Sequence, residues 1–347
     1  MEHERLQQIL NHFPNLRIAV AGDFFLDKWL EIDRSLDEPS VETGLTAYQV
    51  TAKRLYAGVA GTILSNLAAL EIGKLYAIGF LGDDGEGFEM LRILNGLGIN
   101  TDHLPQYDEV MTPTYTKPVF ITKGGIEEIN RLDHKNIRPT PQKIEERIVE
   151  SIREIAGKVD AIIVSDRLNA EGYGAITVRV REALAETGER YPGLILYADS
   201  RAFINKFRNM IIKCNNLEAV RLFYSGEETT AGLDRVGECL RKLSARSGRQ
   251  VFITCGSKGI MTQGNDGRPI LIPAPVLPSD TKIDIVGAGD ACTAGIVSAL
   301  CSGASNEEAA FTGNLTASIT IQVIGATGTA TRAQLLSASR TGLFLPS

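Results

Sequence analysis

The residues with the clearest chemical potential lie late in the chain, in IDIVGAGDACTAG (283–295). A small-residue turn, Gly287-Ala288-Gly289, meets a single carboxylate, Asp290, and a helix-like apolar pattern follows. Such a turn aims the unpaired N–H groups of a first helical turn outward, where the helix dipole adds positive potential. That geometry binds anions and suits a phosphate. A carboxylate beside a bound anion is repelled by it, unless its task is to take a proton from a hydroxyl attacking that anion. Phosphoryl transfer has this requirement: a positioned base, in-line geometry and donors for the spreading charge. The alternative is an ordinary acid at a helix N-terminus, a common capping choice. This stretch leaves both readings open. Other glycine signatures do not fit, because a dinucleotide fingerprint needs glycine where Cys292 stands, and neither GxxxxGKS nor GxxxxGKT occurs.

A site of this kind must be carried by a framework, and the rest of the chain supplies one. LRIAVAGD (16–23), KLYAIGFLG (74–82), DAIIVSD (160–166), LILYADS (194–200), QVFITCG (250–256) and the apolar piece 283–286 read as buried parallel strands. Helical patterns alternate with them, among them ILSNLAALEIG, GEGFEMLRILNGLG, TPQKIEERIVESIREIA, YGAITVRVREALAETG and TAGLDRVGECLRKLSARSG. This alternation predicts an α/β fold, doubly wound around a mostly parallel sheet, with ligands beyond the carboxyl ends of the strands. Residues 29–56 and 110–132 break the pattern with β-like pieces that lack helical crossovers. They are expected to form a small β-sheet lid inserted in a single domain spanning 1–347.

Composition narrows the partners. A net charge of −6 without a long basic block argues against nucleic acid. No apolar run reaches the roughly twenty residues of a membrane span. The start, MEHERLQQILNHF, reads as a charged amphipathic helix and not as a signal peptide. Five unpaired-looking cysteines and four scattered histidines predict neither disulfides nor a Cys- or His-based metal site. A cytoplasmic protein is expected.

Nearly the whole chain resembles the PfkB (ribokinase-like) carbohydrate kinases. DIVGAGDACTAG is similar to the family's C-terminal signature, which implies Asp290 as catalytic base and Gly287, Ala288 and Gly289 as the anion hole; Val286 departs from the frequent Thr. VAGDFFLD (20–27) resembles the segment that binds substrate hydroxyls, implying Asp27 and, with strand-end chemistry as its rival, Asp23. KCNNLEA (213–219) is similar to the N-x-x-E motif, implying Asn215 and Glu218 beside the nucleotide, with Glu218 organising Mg²⁺ through water. FITCGSKG (252–259) resembles the nucleotide-side T-x-G-x-x-G segment, implying Thr254, Gly256 and Gly259, although a tight turn needs the same glycines. Asn314 falls where the family often contacts adenine. Asp284 and the loop 325–329 correspond to a monovalent-cation (K⁺) site of some relatives, against plain turn chemistry.

Within the family the likeness leans to the ADP-heptose-synthase type of sugar-phosphate kinase, through VAGDFFLDKW, MTPTYTKPV, INRLDHKN and IGATGTATRAQL. The substrate side is altered. In AGVAGT (57–62) Gly58 is retained, Val59 replaces a glycine and Thr62 replaces an asparagine; SDRLNA (165–170) replaces a glycine- and lysine-containing loop. The resemblance implies an ATP- and Mg²⁺-dependent kinase acting on a hydroxyl of a sugar or sugar phosphate. An exposed face of the lid sheet could pair with a second copy, which makes a homodimer through the lid a candidate assembly. Lys117 and Arg131 on the lid are candidates for a substrate phosphate, against solvated strand charges. Rival readings are a nucleoside or other small-alcohol kinase of the same fold, and a non-catalytic binding homologue.

Overall fold

The computed structural model describes residues 1–122, 125–224, 232–325 and 327–340. Its large sheet has nine strands, in the order Pro269–Ile272, Ile260–Gln263, Val251–Thr254, Ile211–Asn215, Ile195–Ser200, Ala161–Asp166, Arg17–Gly22, Lys74–Ile78, Asn100–His103. From Val251–Thr254 to Asn100–His103 every pairing is parallel; the two strands at the other edge are antiparallel. Both faces are buried, and the strand side chains alternate between them. Ile18 and Val20 pack with Leu6, Ile63, Leu67, Ile296 and Leu315 on one face. Ala19 and Ala21 pack with Ile148, Ile152, Leu184 and Leu240 on the other. Double burial explains why these strands read as unbroken apolar runs.

The helices fall where the 3.6-residue periodicity puts them: His3–His12, Ala60–Ala69, Gly85–Gly96, Gln142–Ile155, Val178–Arg190, Leu233–Ser247, Ala288–Cys301 and Asn306–Thr320. The start of the TAGLDRVGECL pattern, residues 230–231, lies outside the described residues. One expected strand is absent. Residues 283–286 form no strand, and Ile283, Ile285 and Val286 are exposed. An apolar run of four is too short to distinguish a buried strand from a loop. The edge strands Asn100–His103 and Pro269–Ile272 went unread, as did Ile260–Gln263 beside the latter and Ile211–Asn215, whose lysine interrupts the apolar run.

The chain leaves the large sheet through one residue. Strand Arg17–Gly22 ends, Asp23 follows, and Phe24–Ile32 begins a second, smaller sheet. There Phe24–Ile32 runs antiparallel to Val50–Val59 and parallel to Thr114–Thr122. Thr114–Thr122 also pairs antiparallel with Gly125–Glu128 and with Leu132–His134. The two β-like segments do form one sheet, which extends further toward the core than 29–56 and 110–132. No helix among the described residues is long and apolar enough to cross a membrane.

Candidate active site

The site lies at the carboxyl ends of the central strands. Gly287 caps the Ala288–Cys301 helix with φ 80°, a left-handed conformation that glycine adopts without Cβ strain. Any Cβ there would also stand 2.5 Å from Thr327 Cγ2. The Ala288 N–H donates to the Ile285 carbonyl, so this member of the expected anion hole is already engaged. For the Gly287 and Gly289 N–H groups no protein partner is found among the described residues, and they remain as donors. Thr62, in the Ala60–Ala69 helix, brings its methyl close to Gly287, and its hydroxyl donates to the Ala57 carbonyl at 3.2 Å. A shorter side chain at the former asparagine position thus turns back onto its own helix start.

Asp290 occupies the first turn of the helix and is not a solvated cap. Its Oδ1 accepts a hydrogen bond from Arg167 Nη2 at 2.7 Å, and the same nitrogen reaches Asp199 Oδ2 at 2.9 Å. Lys213 Nζ donates to that Asp199 oxygen at 2.7 Å and to the Gly289 carbonyl at 3.3 Å. Two cations and two carboxylates therefore alternate across the ends of three adjacent strands. Burial pushes the Asp290 carboxyl up from its ordinary range, Arg167 pulls it back, and Asp199 adds repulsion. Asp199 is itself buried, yet Arg167 and Lys213 hold its carboxyl low. Buried charges persist only when paired in this way.

Arg167, Asp199 and Lys213 were not singled out from the sequence. The signal was present. Asp199 ends LILYADS, Arg167 follows DAIIVSD, and Lys213 is 4% exposed within an otherwise apolar strand. A lysine in such a place demands an acidic partner.

On the far side of Arg167 opens a cavity of about 390 Å³. Asp23, Phe25, Tyr115, Lys135, Arg167 and Arg201 are among its walls. Asp23 Oδ1 accepts from the Ala175 N–H at 2.7 Å, and the Arg167 backbone N–H also faces this carboxylate; its buried Oδ2 makes no hydrogen bond of good geometry among the described residues. Desolvation raises the Asp23 carboxyl to about 7, and that of its neighbour Asp166 to about 6. Asp27 stands apart from this cavity. It faces Lys117 at 3.5 Å, and a Cβ on Gly58 would come within 2.9 Å of its Oδ2. Burial raises the Asp27 carboxyl, with Lys117 opposing. Lys117 also lies over the Trp29 ring, whereas Arg131 pairs with Asp133 at 2.6 Å and covers Tyr115. Both lid cations have protein partners. A larger cavity of about 610 Å³, lined by Asp160, Tyr191 and Cys301, lies at the opposite ends of the strands, where none of these groups reach.

Between Gly58 and the Ala60–Ala69 helix, Val59 has φ 59° and ψ −114°. A β-branched residue thus occupies a backbone conformation suited to glycine. The expected nucleotide side is dominated by structural bonds. Asn215 Oδ1 accepts from the Glu218 N–H at 2.8 Å and Glu218 Oε2 from the Asn215 N–H at 2.8 Å, a reciprocal capping box. Thr254 Oγ1 donates to the Cys214 carbonyl at 3.5 Å. Gly256 and Gly259 both have positive φ, and a Cβ on Gly259 would strike the Ile272 carbonyl at 2.1 Å. Asn314 donates to the Ile272 and Pro273 carbonyls at 2.9 and 3.2 Å, which fastens its helix to the loop after the last strand.

The metal expectations divide. Only Oε2 of Glu218 is committed to the capping box, leaving Oε1 free, which fits an ion held by one carboxylate and water. Asp284 Oδ1 accepts from Val286 N–H at 3.0 Å and Oδ2 from Gly325 N–H at 3.3 Å. Each oxygen thus accepts one backbone N–H, the turn chemistry expected as the rival to a cation site; residue 326 of the 325–329 loop lies outside the described residues. No cluster of three His, Cys, Asp or Glu side chains that could hold a metal occurs among the described residues.

Comparison with known proteins identifies the family and the fold. The description "pfkB family carbohydrate kinase" matches residues 26–332. Bifunctional protein HldE of Geotalea uraniireducens is 26% identical over 326 residues, covering 94% of this chain and 63% of that protein. HldE of Trichlorobacter lovleyi is 24% identical over 339 residues, 97% of this chain and 66% of that one. The chain thus spans a little under two thirds of the length of these relatives. Among solved structures, Escherichia coli phosphofructokinase-2, in complex with substrates and products, superposes with a TM-score of 0.69 at 16% identity, covering 93% of this chain and 98% of that one. Arabidopsis thaliana ribokinase, complexed with ribose and ATP, gives 0.66 at 20% identity, with 94% and 99% covered. These structures share the fold.

Proposed function

Because this chain belongs to the pfkB family of carbohydrate kinases, we propose that it transfers the γ-phosphoryl group of ATP to a hydroxyl of a sugar phosphate or related anionic sugar. One observation carries the reading. Asp290 sits between the free N–H groups of Gly287 and Gly289 and, across Arg167, an acceptor-sized cavity with Arg201 and Lys135 in its walls. The acceptor hydroxyl gives its proton to Asp290 Oδ2, and its oxygen attacks the γ-phosphorus in line while the bond from phosphorus to the β–γ bridging oxygen breaks and ADP leaves. The glycine N–H groups steady the charge that spreads over the transferring oxygens. Asp23, whose buried Oδ2 makes no hydrogen bond of good geometry among the described residues, orients the acceptor, and the small sheet closes over it and excludes water. Mg²⁺, held through water by Glu218, would neutralise phosphate charge when bound. The same sheet offers a surface for a homodimer, and the protein works in the cytoplasm.

A nucleoside acceptor is the second reading, favoured by the aromatic walls Phe24, Phe25, Phe80, Tyr115 and Tyr173. ATP consumption measured against sugars, sugar phosphates, sugar acids and nucleosides tests both. Sugar phosphates are expected to give the highest kcat/KM, with heptose phosphate below the best acceptor because Val59 and Thr62 alter the substrate motif. Best activity on a nucleoside would replace the first reading by the second. No ATP consumption with any of them would leave only a binding role.

A further inference from the structure

The Asp290 carboxylate is held by a residue that also forms part of the acceptor cavity. Arg167 Nη2 is bound to both Asp290 and Asp199, while its Nε and Nη1 have no partner among the described residues. The side chain is 17% exposed, and the loop that carries it lines the cavity. Building on the kinase reading, we infer that Arg167 is the positioning residue of Asp290: it fixes Oδ1, leaves Oδ2 for the acceptor hydroxyl, and turns its remaining N–H groups to the acceptor.

Geometry supports this before charge does. A carboxylate on the first turn of a helix rotates freely about its side-chain torsions unless something grips one oxygen, and a general base misplaced by an ångström loses much of its effect. The grip is itself anchored, because Asp199 is held in turn by Lys213, and Lys213 by the Gly289 carbonyl in the phosphate-facing turn. Arginine suits the position because its planar fork can serve two carboxylates and a ligand together, which a lysine ammonium cannot do with fixed angles. Charge then adds a second effect. Asp199 and Lys213 face the pair from neighbouring strands, Glu218 from the following helix, and Cys292 from the helix of Asp290 itself. Asp23 and Asp166 face Arg167 from the acceptor side. With Arg167 removed, burial and Asp199 would act on Asp290 against Lys213 alone, so its carboxyl would take up a proton at higher pH.

Burial also raises the carboxyls of Asp23 and Asp166, so an activity profile alone would not identify the group. The deciding measurement is a ¹³C-carboxyl aspartate NMR titration of the full chain, with the Asp290 signal assigned through D290N. In R167Q the Asp290 midpoint is expected to rise by about one pH unit or more, and in R167K by clearly less. With the acceptor found in the panel above, R167Q should lose about 10- to 100-fold in kcat and the acid limb should move up with the NMR midpoint, while KM for ATP stays within threefold. An unmoved Asp290 midpoint in R167Q overturns the inference, as does an equal rise in R167K. If R167Q does not fold, R167K decides: a tenfold or greater loss of kcat with its acid limb near the wild-type position supports the inference, and wild-type kcat refutes it. Should the wild-type chain phosphorylate nothing, the kinase reading fails by itself, and the NMR midpoint still decides the role of Arg167.

Discussion

The base side and the acceptor side of the site solve opposite problems. Around Asp290 the charges are paired with one another: Arg167 holds Asp290 and Asp199, and Lys213 holds Asp199 and the Gly289 carbonyl, although Asp199 Oδ1 has no hydrogen bond among the described residues. Around the acceptor cavity the groups are left wanting. Asp23 Oδ2 is buried without a hydrogen bond of good geometry among the described residues, and Val59 sits in a backbone conformation suited to glycine. A preorganised base must be rigid before substrate arrives, since reorganisation during reaction costs rate. A binding surface can hold back some stability, as unsatisfied groups and strain that ligand contacts relieve. We read the contrast as a base held by paired charges beside an acceptor pocket with a strained valine at its border; the altered segments touch both sides, since Arg167 belongs to the loop 165–170.

The largest expected effect breaks the paired side. D290N keeps the side-chain size and a good helix start but removes the basic oxygen. With the best acceptor, kcat should fall about 10²–10⁴-fold, the usual worth of a general base. ATP affinity should hold or improve slightly, because the Gly287 and Gly289 N–H groups are untouched and a negative charge is lost. If Asp290 only capped the helix, Asn would serve nearly as well. Turnover within a few-fold of wild type would therefore remove the proposed mechanism.

The next prediction probes the unsatisfied side through pH. The folded-state carboxyl of Asp23 lies at about 7, above an ordinary value of 3.8. The native state thus keeps a proton that the unfolded chain has released. The stability it contributes is complete below pH 4 and is lost as pH rises through 7. The difference is about three pH units, or on the order of 4 kcal/mol. Asp166, at about 6, adds a slope of the same sign. D23N removes the Asp23 part: its oxygen can still accept from the Ala175 N–H, and nothing must ionise. In urea unfolding from pH 4.5 to 8, D23N should match wild type at the acid end and become more stable at the alkaline end. Its acceptor KM should rise at the same time. Parallel stability curves across that range would show that Asp23 is not the buried, raised carboxyl described here.

How much of this was legible depended on whether the signal was local. The doubly wound sheet was readable because double burial writes itself as apolar runs, and Gly287 to Asp290 because a helix start beside small residues is a contiguous pattern. The four-charge network was not, since Arg167, Asp199, Lys213 and Asp290 come from separate elements and meet only when parallel strands align their carboxyl ends. Residues 283–286 misled because an apolar run looks alike in a strand and in a loop bordering a cleft. Asn314 and Glu218 showed a further limit. The same side chains serve as backbone caps and fasteners, so their type and spacing did not separate a ligand contact from local structure.

The smallest effect sharpens the comparison at Val59. With φ at 59° and ψ at −114°, a β-branched residue occupies a region open mainly to glycine. Strain of this kind costs on the order of 1–3 kcal/mol. V59G would relieve it, and would return roughly 0.5–1 kcal/mol through the greater freedom of glycine in the unfolded chain. The variant should therefore be more stable by about 1 kcal/mol, seen as a higher urea midpoint at unchanged slope. Most strained residues persist because something depends on them. We place that dependence on acceptor choice, since Val59 pairs with Phe24, a wall of the acceptor cavity, and precedes the helix that carries Thr62. V59G should widen the range of accepted sugars and leave KM for ATP unchanged. A variant no more stable than wild type would mean that the surrounding packing already compensates the valine. A variant more stable but with the same acceptor preferences would detach the strain from specificity, leaving Asp23 and Arg167 as the residues that distinguish one acceptor from another.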